Sequence, residues 1–326
     1  GDSDLTQFVD WSAREHDILY VAAWANDDVP LSFAPSDNFN GITVASSETL
    51  TGESTYRKFS STNAAPDSTT DAAGPRTSID LIAPGTDIRV LEMNDEEAVL
   101  ISGTSYAAPH ANGAVALLQQ FSQNQINASN SRFDDDSQRH EVMKAIMLNS
   151  ADKLSGVHNS TRTVLDSLNN DWTVSSAHSS EFTSLDDELG AGHLNVESAV
   201  MQLAPGEHDA GTVPLIGWDY DTIGAPGATK EYVFDQPLEG DQYIAVTLTW
   251  DRRVEITGFD DDYDVGDTFF GYNQVDEILN NLDVQLMTKD GTNLVTDSVV
   301  RSRTFEDNVE HIFFDNFPTG KYKVVV

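Results

Sequence analysis

Apolar positions recur along this chain with two different periods. In LTQFVDWSAREHD, residues Leu5, Phe8, Val9 and Ala13 fall at helical spacing. ILYVAAWA, NGITVASS, SIDLIAPGT and AVLISG are instead continuous apolar runs, as expected of parallel strands buried on both faces. Pro84-Gly85 stops the third run, and the fourth feeds a helix from Ser105 onward. HEVMKAIMLNSAD and NVESAVMQLA predict two further amphipathic helices. Such alternation predicts an α/β fold over residues 1–204, with a parallel sheet covered on both faces.

The texture changes after Pro205-Gly206. KEYVFDQP, QYIAVTLTW, LDVQLMTKDG, VEHIFFDNFP and KYKVVV are short, β-rich runs separated by Gly, Pro and Asp. They predict an antiparallel β-sandwich over residues 205–326. Two polar Ser/Asn/Asp-rich stretches, 120–140 and 153–187, read as surface insertions.

Composition narrows the chemistry. The absence of cysteine removes disulfides, thiolate metal sites and a cysteine nucleophile. No apolar run reaches the roughly 18 residues of a membrane span. Asp and Glu number 54 against 18 Lys and Arg, a net charge of −36. That surface repels phosphate backbones and anionic lipid, which excludes nucleic acid and membranes as partners. It suits solubility in a salty or calcium-containing medium.

The candidate chemistry lies at the junction of the fourth run and its helix. Gly103 permits a tight turn, and Thr104-Ser105 then opens the helix. Pro109 falls near the helix start, where a missing N–H is least disruptive. A serine there sees the positive end of the helix dipole, which favours an attacking oxygen and the anion it generates. An α/β-hydrolase elbow needs Gly-x-Ser-x-Gly, and Ala107 stands at its second glycine.

Gly103, Thr104, Ser105, Ala107, Pro109, His110 and Gly113 instead resemble the serine motif of subtilisin-like proteases. DLIAPGTDI resembles the strand end that precedes it in that family, and LYVAAWAND the strand that delivers an oxyanion-hole asparagine. VMKAIMLNSAD and GAGHLNVESAV resemble the closing helices and their junction. The tail looks like the jelly-roll domain of some larger bacterial subtilases. The resemblance implies a three-layer subtilisin-like domain whose N-terminal part is absent, and a serine endopeptidase acting on polypeptides. It implies Ser105 as nucleophile, Asn26 and the Ser105 backbone N–H as oxyanion donors, and Trp24 near the first specificity pocket, with a core tryptophan as the alternative reading. It also implies an extracellular or cell-envelope location. Ala25 stands where the family has glycine, Tyr106 where methionine is common, and Asn112 where a small residue is usual.

In subtilisin-like proteases the triad runs Asp, His, Ser along the chain. Neither of the first two motifs occurs before Asn26. His110 lies five residues after Ser105, roughly 140° round the helix, and points away. His16, His140, His158, His178 and His208 sit in polar surroundings, and His193 and His311 lie beside element starts. The expectation is therefore that Asp and His come from outside this chain, from the family's N-terminal segment in cis or as a partner. The alternative is a catalytically inactive subtilase-like fragment or binding scaffold.

GFDDDYDVGD spaces Asp260, Asp262 and Asp264 two apart, with Asp267 beyond, a pattern of hard oxygen ligands suited to Ca²⁺. Val265 replaces the glycine that an EF-hand loop requires. A second candidate group, Asp283 with Asp307 and Glu310, lies at strand edges where related jelly rolls bind calcium.

Overall fold

The computed structural model describes residues 4–26, 35–50, 55–58, 76–91, 98–157, 160, 162–240, 242–257, 274–288, 290, 300–315 and 317–326. The first helix, α1 (Asp4–His16), leads to β1 (Val21–Ala23). The central strand β2 (Ile42–Thr49) pairs in parallel with β1 on one side and with β4 (Leu81–Pro84) on the other. Its far end turns antiparallel to β3 (Thr55–Lys58), which pairs in parallel with β7 (Thr163–Leu165).

Strand alternation explains the continuous apolar runs. Ile42 and Val44 of β2, with Leu81 and Ala83 of β4, face one core cluster. The intervening Ala45 and Ile82 face another, with Trp24, Ile79, Val164 and Leu189. Both faces are buried, so both parities are mainly apolar, and the polar side chains that β2 buries, Thr43, Ser46 and Ser47, are small. The first cluster is closed by α2 (Thr104–Asn127), α3 (His140–Asn149) and α5 (Val196–Leu203). On α2 the buried positions are 104, 107, 108, 111, 114, 115, 118 and 122, a single helical stripe.

Two elements depart from expectation. The AVLISG run is not a fourth parallel strand. It forms β6 (Ala98–Ile101), the second arm of an antiparallel hairpin with β5 (Ile88–Leu91), where Leu91 and Leu100 stand 71% and 65% exposed. An apolar run fits a buried strand and a hairpin arm equally. Here the turn after Pro84 decides, with Asp87 at φ 55° and its N–H bonded to Ser102 Oγ. The polar QFSQNQIN is not a loop either, because α2 runs through it to Asn127. Its one inward polar group, Ser122 Oγ, donates to the Ser137 carbonyl.

The second half contains a five-stranded sheet ordered β14 (Arg301–Ser302), β13 (Val284–Thr288), β16 (Tyr322–Val325), β9 (Glu231–Phe234), β8 (Gly211–Val213). Its pairs are antiparallel except β8 with β9, which is parallel. A ribbon of β10 (Ile244–Thr249) and β15 (Val309–Phe314) faces it across a shared core, and β11 (Arg253–Thr257) pairs with β12 (Gln274–Ile278). Every residue of β15 is buried, because Ile312 and Phe314 face that core while Val309 and Phe313 pack on the α/β unit.

The boundary between the halves is polar as well as apolar. Phe39 lies between the guanidinium groups of Arg76 and Arg252, at 4.2 and 4.3 Å from its ring centre. Asn40 exchanges two hydrogen bonds with the Arg252 backbone, at 2.9 and 2.8 Å. Asn308 Nδ2 donates to the Phe39 carbonyl at 2.9 Å. These bonds satisfy the backbone of the turn that starts β2, so the β-rich half completes the α/β half.

Candidate active site

The site is built where β4, the β5–β6 hairpin and α2 meet. β4 ends at Pro84, and the Gly85 carbonyl accepts the Gly103 N–H at 2.8 Å. A Cβ on Gly85 would sit 2.8 Å from the Gly103 carbonyl oxygen and closer still to Ser46 Oγ, so the two backbones approach only because residue 85 is glycine. Gly103 itself stands at φ 150°, a conformation that side chains disfavour. That kink turns the chain into α2.

Thr104 is fully buried and Ser105 exposed at the first turn of α2. The Thr104 N–H donates to Asn26 Oδ1 at 2.9 Å. Its hydroxyl donates to the Trp24 carbonyl in a short bond. Only the oxygen of an amide side chain can accept, so the first bond fixes which end of Asn26 faces the turn. Its Nδ2 donors are directed elsewhere, and Asn26 is itself exposed. The structure thus brings Asn26 against the two residues that precede Ser105. Pro109 removes the N–H that would bond the Ser105 carbonyl four residues back. The α2 N-terminus carries no acidic side chain in its first turn, so its partial positive charge is not offset locally.

Trp24 contributes its carbonyl, not an exposed ring. The indole is 3% exposed in the cluster with Ile79, Ile82 and Leu189. Thr104 is the residue whose part the sequence concealed. It stood in the motif, but its two bonds to residues about eighty positions upstream arise only from the fold.

Among the described residues, no histidine hydrogen-bonds Ser105. His110 Nδ1 bonds the Tyr106 carbonyl at 2.8 Å, within its own helix. His16 packs edge-on to Trp11, and His208 meets Arg132. His311 Nδ1 pairs with Thr247. His178 closes the short helix α4 (Ser176–Ser179), and His158 lies outside the described residues. His140 is not in a polar loop. It begins α3, is 3% exposed, and is held between Asp17 and Asp251 at 2.8 and 2.9 Å.

A serine–histidine side-chain pair does occur elsewhere. Ser47 Oγ lies 3.0 Å from His193 Nε2, while His193 Nδ1 lies 3.0 Å from the Leu194 carbonyl. The carbonyl accepts, so Nδ1 carries the proton and Nε2 accepts from Ser47. Both residues are 2% exposed, and burial pushes the imidazole down to about 3. Tyr56 stacks on the ring at 3.7 Å. The pair is a satisfied core contact with no room for a substrate.

The acidic loop with Asp260, Asp262, Asp264 and Asp267 lies outside the described residues. Asp283, Asp307 and Glu310 are described, but their carboxylates do not converge within reach of one ion, and Asp307 pairs with Arg76 at 3.5 Å. Glu310 Oε1 accepts the Thr304 N–H at 2.5 Å, and Oε2 the Ser302 hydroxyl. Burial, with some repulsion from Asp307 and Asp283, pushes the Glu310 carboxyl up to about 9. Asp283 Oδ1 is buried without a hydrogen-bond partner among the described residues.

Residues 1–192 match the Subtilase family. This match covers more than half of the chain, and the chain therefore belongs to the subtilase family of serine proteases. Among solved structures, the patellamide maturation protease PatA is 20% identical, with a TM-score of 0.40 over 64% of this chain and 58% of that one. The prenylagaramide maturation protease PagA is 21% identical, with a TM-score of 0.36 over 58% of this chain and 52% of that one. A protease from Pseudoalteromonas arctica is 17% identical, with a TM-score of 0.36 over 62% and 47%. The chain thus spans about half the length of these structures. No curated protein matches it. No helix among the described residues is long and apolar enough to cross a membrane.

Proposed function

We propose that this chain carries the nucleophile and oxyanion hole of a serine endopeptidase that cleaves polypeptides. Ser105 attacks the scissile carbonyl, and Asn26 Nδ2 with the Ser105 N–H stabilises the oxyanion. The observation that supports this reading is the bond from the Thr104 N–H to Asn26 Oδ1 at 2.9 Å, which holds the asparagine beside an exposed helix-start serine. A preoriented amide needs no rearrangement as charge develops on the substrate. A serine hydroxyl is a weak nucleophile at neutral pH without a base. None of the seven described histidines pairs with it, and the family's order of Asp, His, Ser along the chain assigns the base and its orienting carboxylate to the segment that precedes Asn26 in that family, in cis or in trans.

A fluorophosphonate probe tests this assignment. Residues 1–326 alone should not label, whereas addition of the upstream segment should give labelling that Ser105→Ala abolishes. Labelling of the isolated chain at Ser105 would place the base inside it. A folded, complete parent that stays inert would favour the scaffold reading.

Calcium is the cation that the acidic loop with Asp260, Asp262 and Asp264, and Asp267 beyond, would take, since it spaces hard oxygen ligands two apart. A rise in melting temperature with Ca²⁺, reversed by EDTA and absent when Asp260, Asp262 and Asp264 are all changed to Asn, is expected. An extracellular or cell-envelope setting accords with the family and with the acidic composition.

A further inference from the structure

A cavity of about 210 Å³ lies between the two halves, away from Ser105. Its floor is α3, through Val142, Ala145 and Ile146, and its roof is the β10 ribbon with Val246 and Leu248. Segment 213–219 forms one wall, and Tyr232 and Phe234 of β9 another. Most of this surface is apolar. Its polar groups largely satisfy one another. Asn149 Oδ1 accepts from Thr247 Oγ1 at 3.0 Å, and Gln202 Nε2 donates to the Gly217 carbonyl at 2.7 Å. A polar ligand would therefore displace existing bonds and gain little. An engineered apolar cavity of roughly 150 Å³ stays dry and takes up a benzene-sized guest, so this volume admits a small hydrocarbon.

The charge at one end of the cavity selects among such guests. Asp219 lines it and accepts the Tyr232 hydroxyl at 2.6 Å. Asp209 and Glu207 add negative charge beside Asp219. Lys230 pairs with Asp221 and offsets part of the charge at Asp219, and Arg132 is taken up by His208 and the Glu207 carbonyl. His208, which also lines the cavity, is held towards its neutral form by burial and by Arg132. At the rim, Leu215 and Ile216 are 39% and 47% exposed and extend the apolar surface outward.

We propose that this cavity binds a small amphiphilic cation, with an alkyl chain against α3 and β10 and an ammonium group at Asp219. An alkanoate of equal length would bring its carboxylate to a carboxylate, and an alkanol would gain burial alone. The site is independent of the protease reading, since none of its residues touches Ser105, Thr104 or Asn26.

The test is calorimetric titration of residues 1–326 with hexylammonium, hexanol and hexanoate at pH 7. Hexylammonium should bind about tenfold more tightly than hexanol, as a charge pair of a few ångströms at intermediate dielectric allows. Hexanoate should give no saturable heat. Asp219→Asn, which keeps an acceptor for Tyr232, should bring hexylammonium to the hexanol level and leave hexanol unchanged. Val246→Phe and Ala145→Phe fill the cavity from opposite sides, and each should abolish binding of both while the circular dichroism stays native. No saturable binding of hexylammonium would overturn the proposal. So would equal binding of hexanoate, an unchanged preference in Asp219→Asn, or full binding in a folded filled variant. If neither filled variant folds, the Asp219→Asn result decides.

Discussion

Asp10 on α1 and Arg252 in the β-rich half form a buried, two-pronged ion pair across 242 positions, with Arg252 Nε and Nη2 at 3.0 and 2.6 Å from Asp10 Oδ2. The other carboxylate oxygen accepts the Phe39 and Asn40 N–H groups, each at 2.9 Å. Asp10 is fully buried and Arg252 4% exposed. Burial raises the Asp10 carboxyl, and Arg252 with the Phe39 and Asn40 N–H groups offsets only part of that rise. Removing one partner of such a pair costs about 3–5 kcal/mol. Arg252→Ala should therefore lower stability in chemical denaturation by about that amount. The loss should appear across the whole chain in one transition. A separate early transition of the β-rich half, with the α/β half unchanged, would show that the contact does not couple them.

His140 supplies a second tie, and it is sensitive to pH. Asp17, Glu141 and Asp251 surround the imidazole, Arg139 adjoins Asp17, and Tyr220 lies against Arg139. Burial alone would lower its pKa, but Asp251 and the other carboxylates outweigh this and raise it to about 9. A raised histidine stabilises the fold fully below its unfolded value of about 6.5, and the gain is lost as pH rises through about 9. His140→Gln should thus destabilise the protein strongly at pH 6 and little at pH 9.5. The limit is about 3 kcal/mol from the size of the shift. A difference in melting temperature that does not change with pH would refute the charged form.

Lys153 has the opposite sign. It is 1% exposed, with its ammonium position 5.0 Å from the Trp172 ring centre and 4.9 Å from that of Phe313. Burial lowers its pKa to about 7, only partly offset by Asp152. A depressed lysine opposes folding in full below about 7, and the penalty fades as pH rises towards the unfolded value of 10.5. Lys153→Met, similar in volume and lacking the charge, should stabilise the protein most at pH 6 and least at pH 10. Destabilisation at pH 6 would mean that the aromatic contacts outweigh burial.

Thr104 is expected to act through Asn26. In the labelling-competent protein, Asn26→Ala should slow acylation by about 10²–10³, the loss seen on removing this type of oxyanion donor in subtilisin itself. Thr104→Val keeps the N–H but loses the bond to the Trp24 carbonyl, and should slow acylation by roughly tenfold, a small displacement's effect. Thr104→Ser should restore the rate. The loss should fall on kcat with KM unchanged, whereas a general folding defect would lower the labelled fraction instead.

The sequence by itself determined the class of fold, the family and the Ser105 neighbourhood. Each rests on local patterning. Continuous apolar runs mark strands dry on both faces, and Gly103-Thr104-Ser105 with Pro109 marks a turn into a helix. The β-rich tail was legible from short runs between turn residues. Tertiary structure decided what depends on a distant partner. AVLISG became a hairpin arm because β5 lay beside it, and QFSQNQIN stayed helical because α2 carried it over the core. Trp24 placed its ring inside while its carbonyl took Thr104. His140 sat among polar residues in sequence, yet Asp17 and Asp251 converge on it from 123 and 111 positions away. Periodicity reports which face of an element is dry, because burial is a property of position along that element. It carries no term for which distant charge will arrive there.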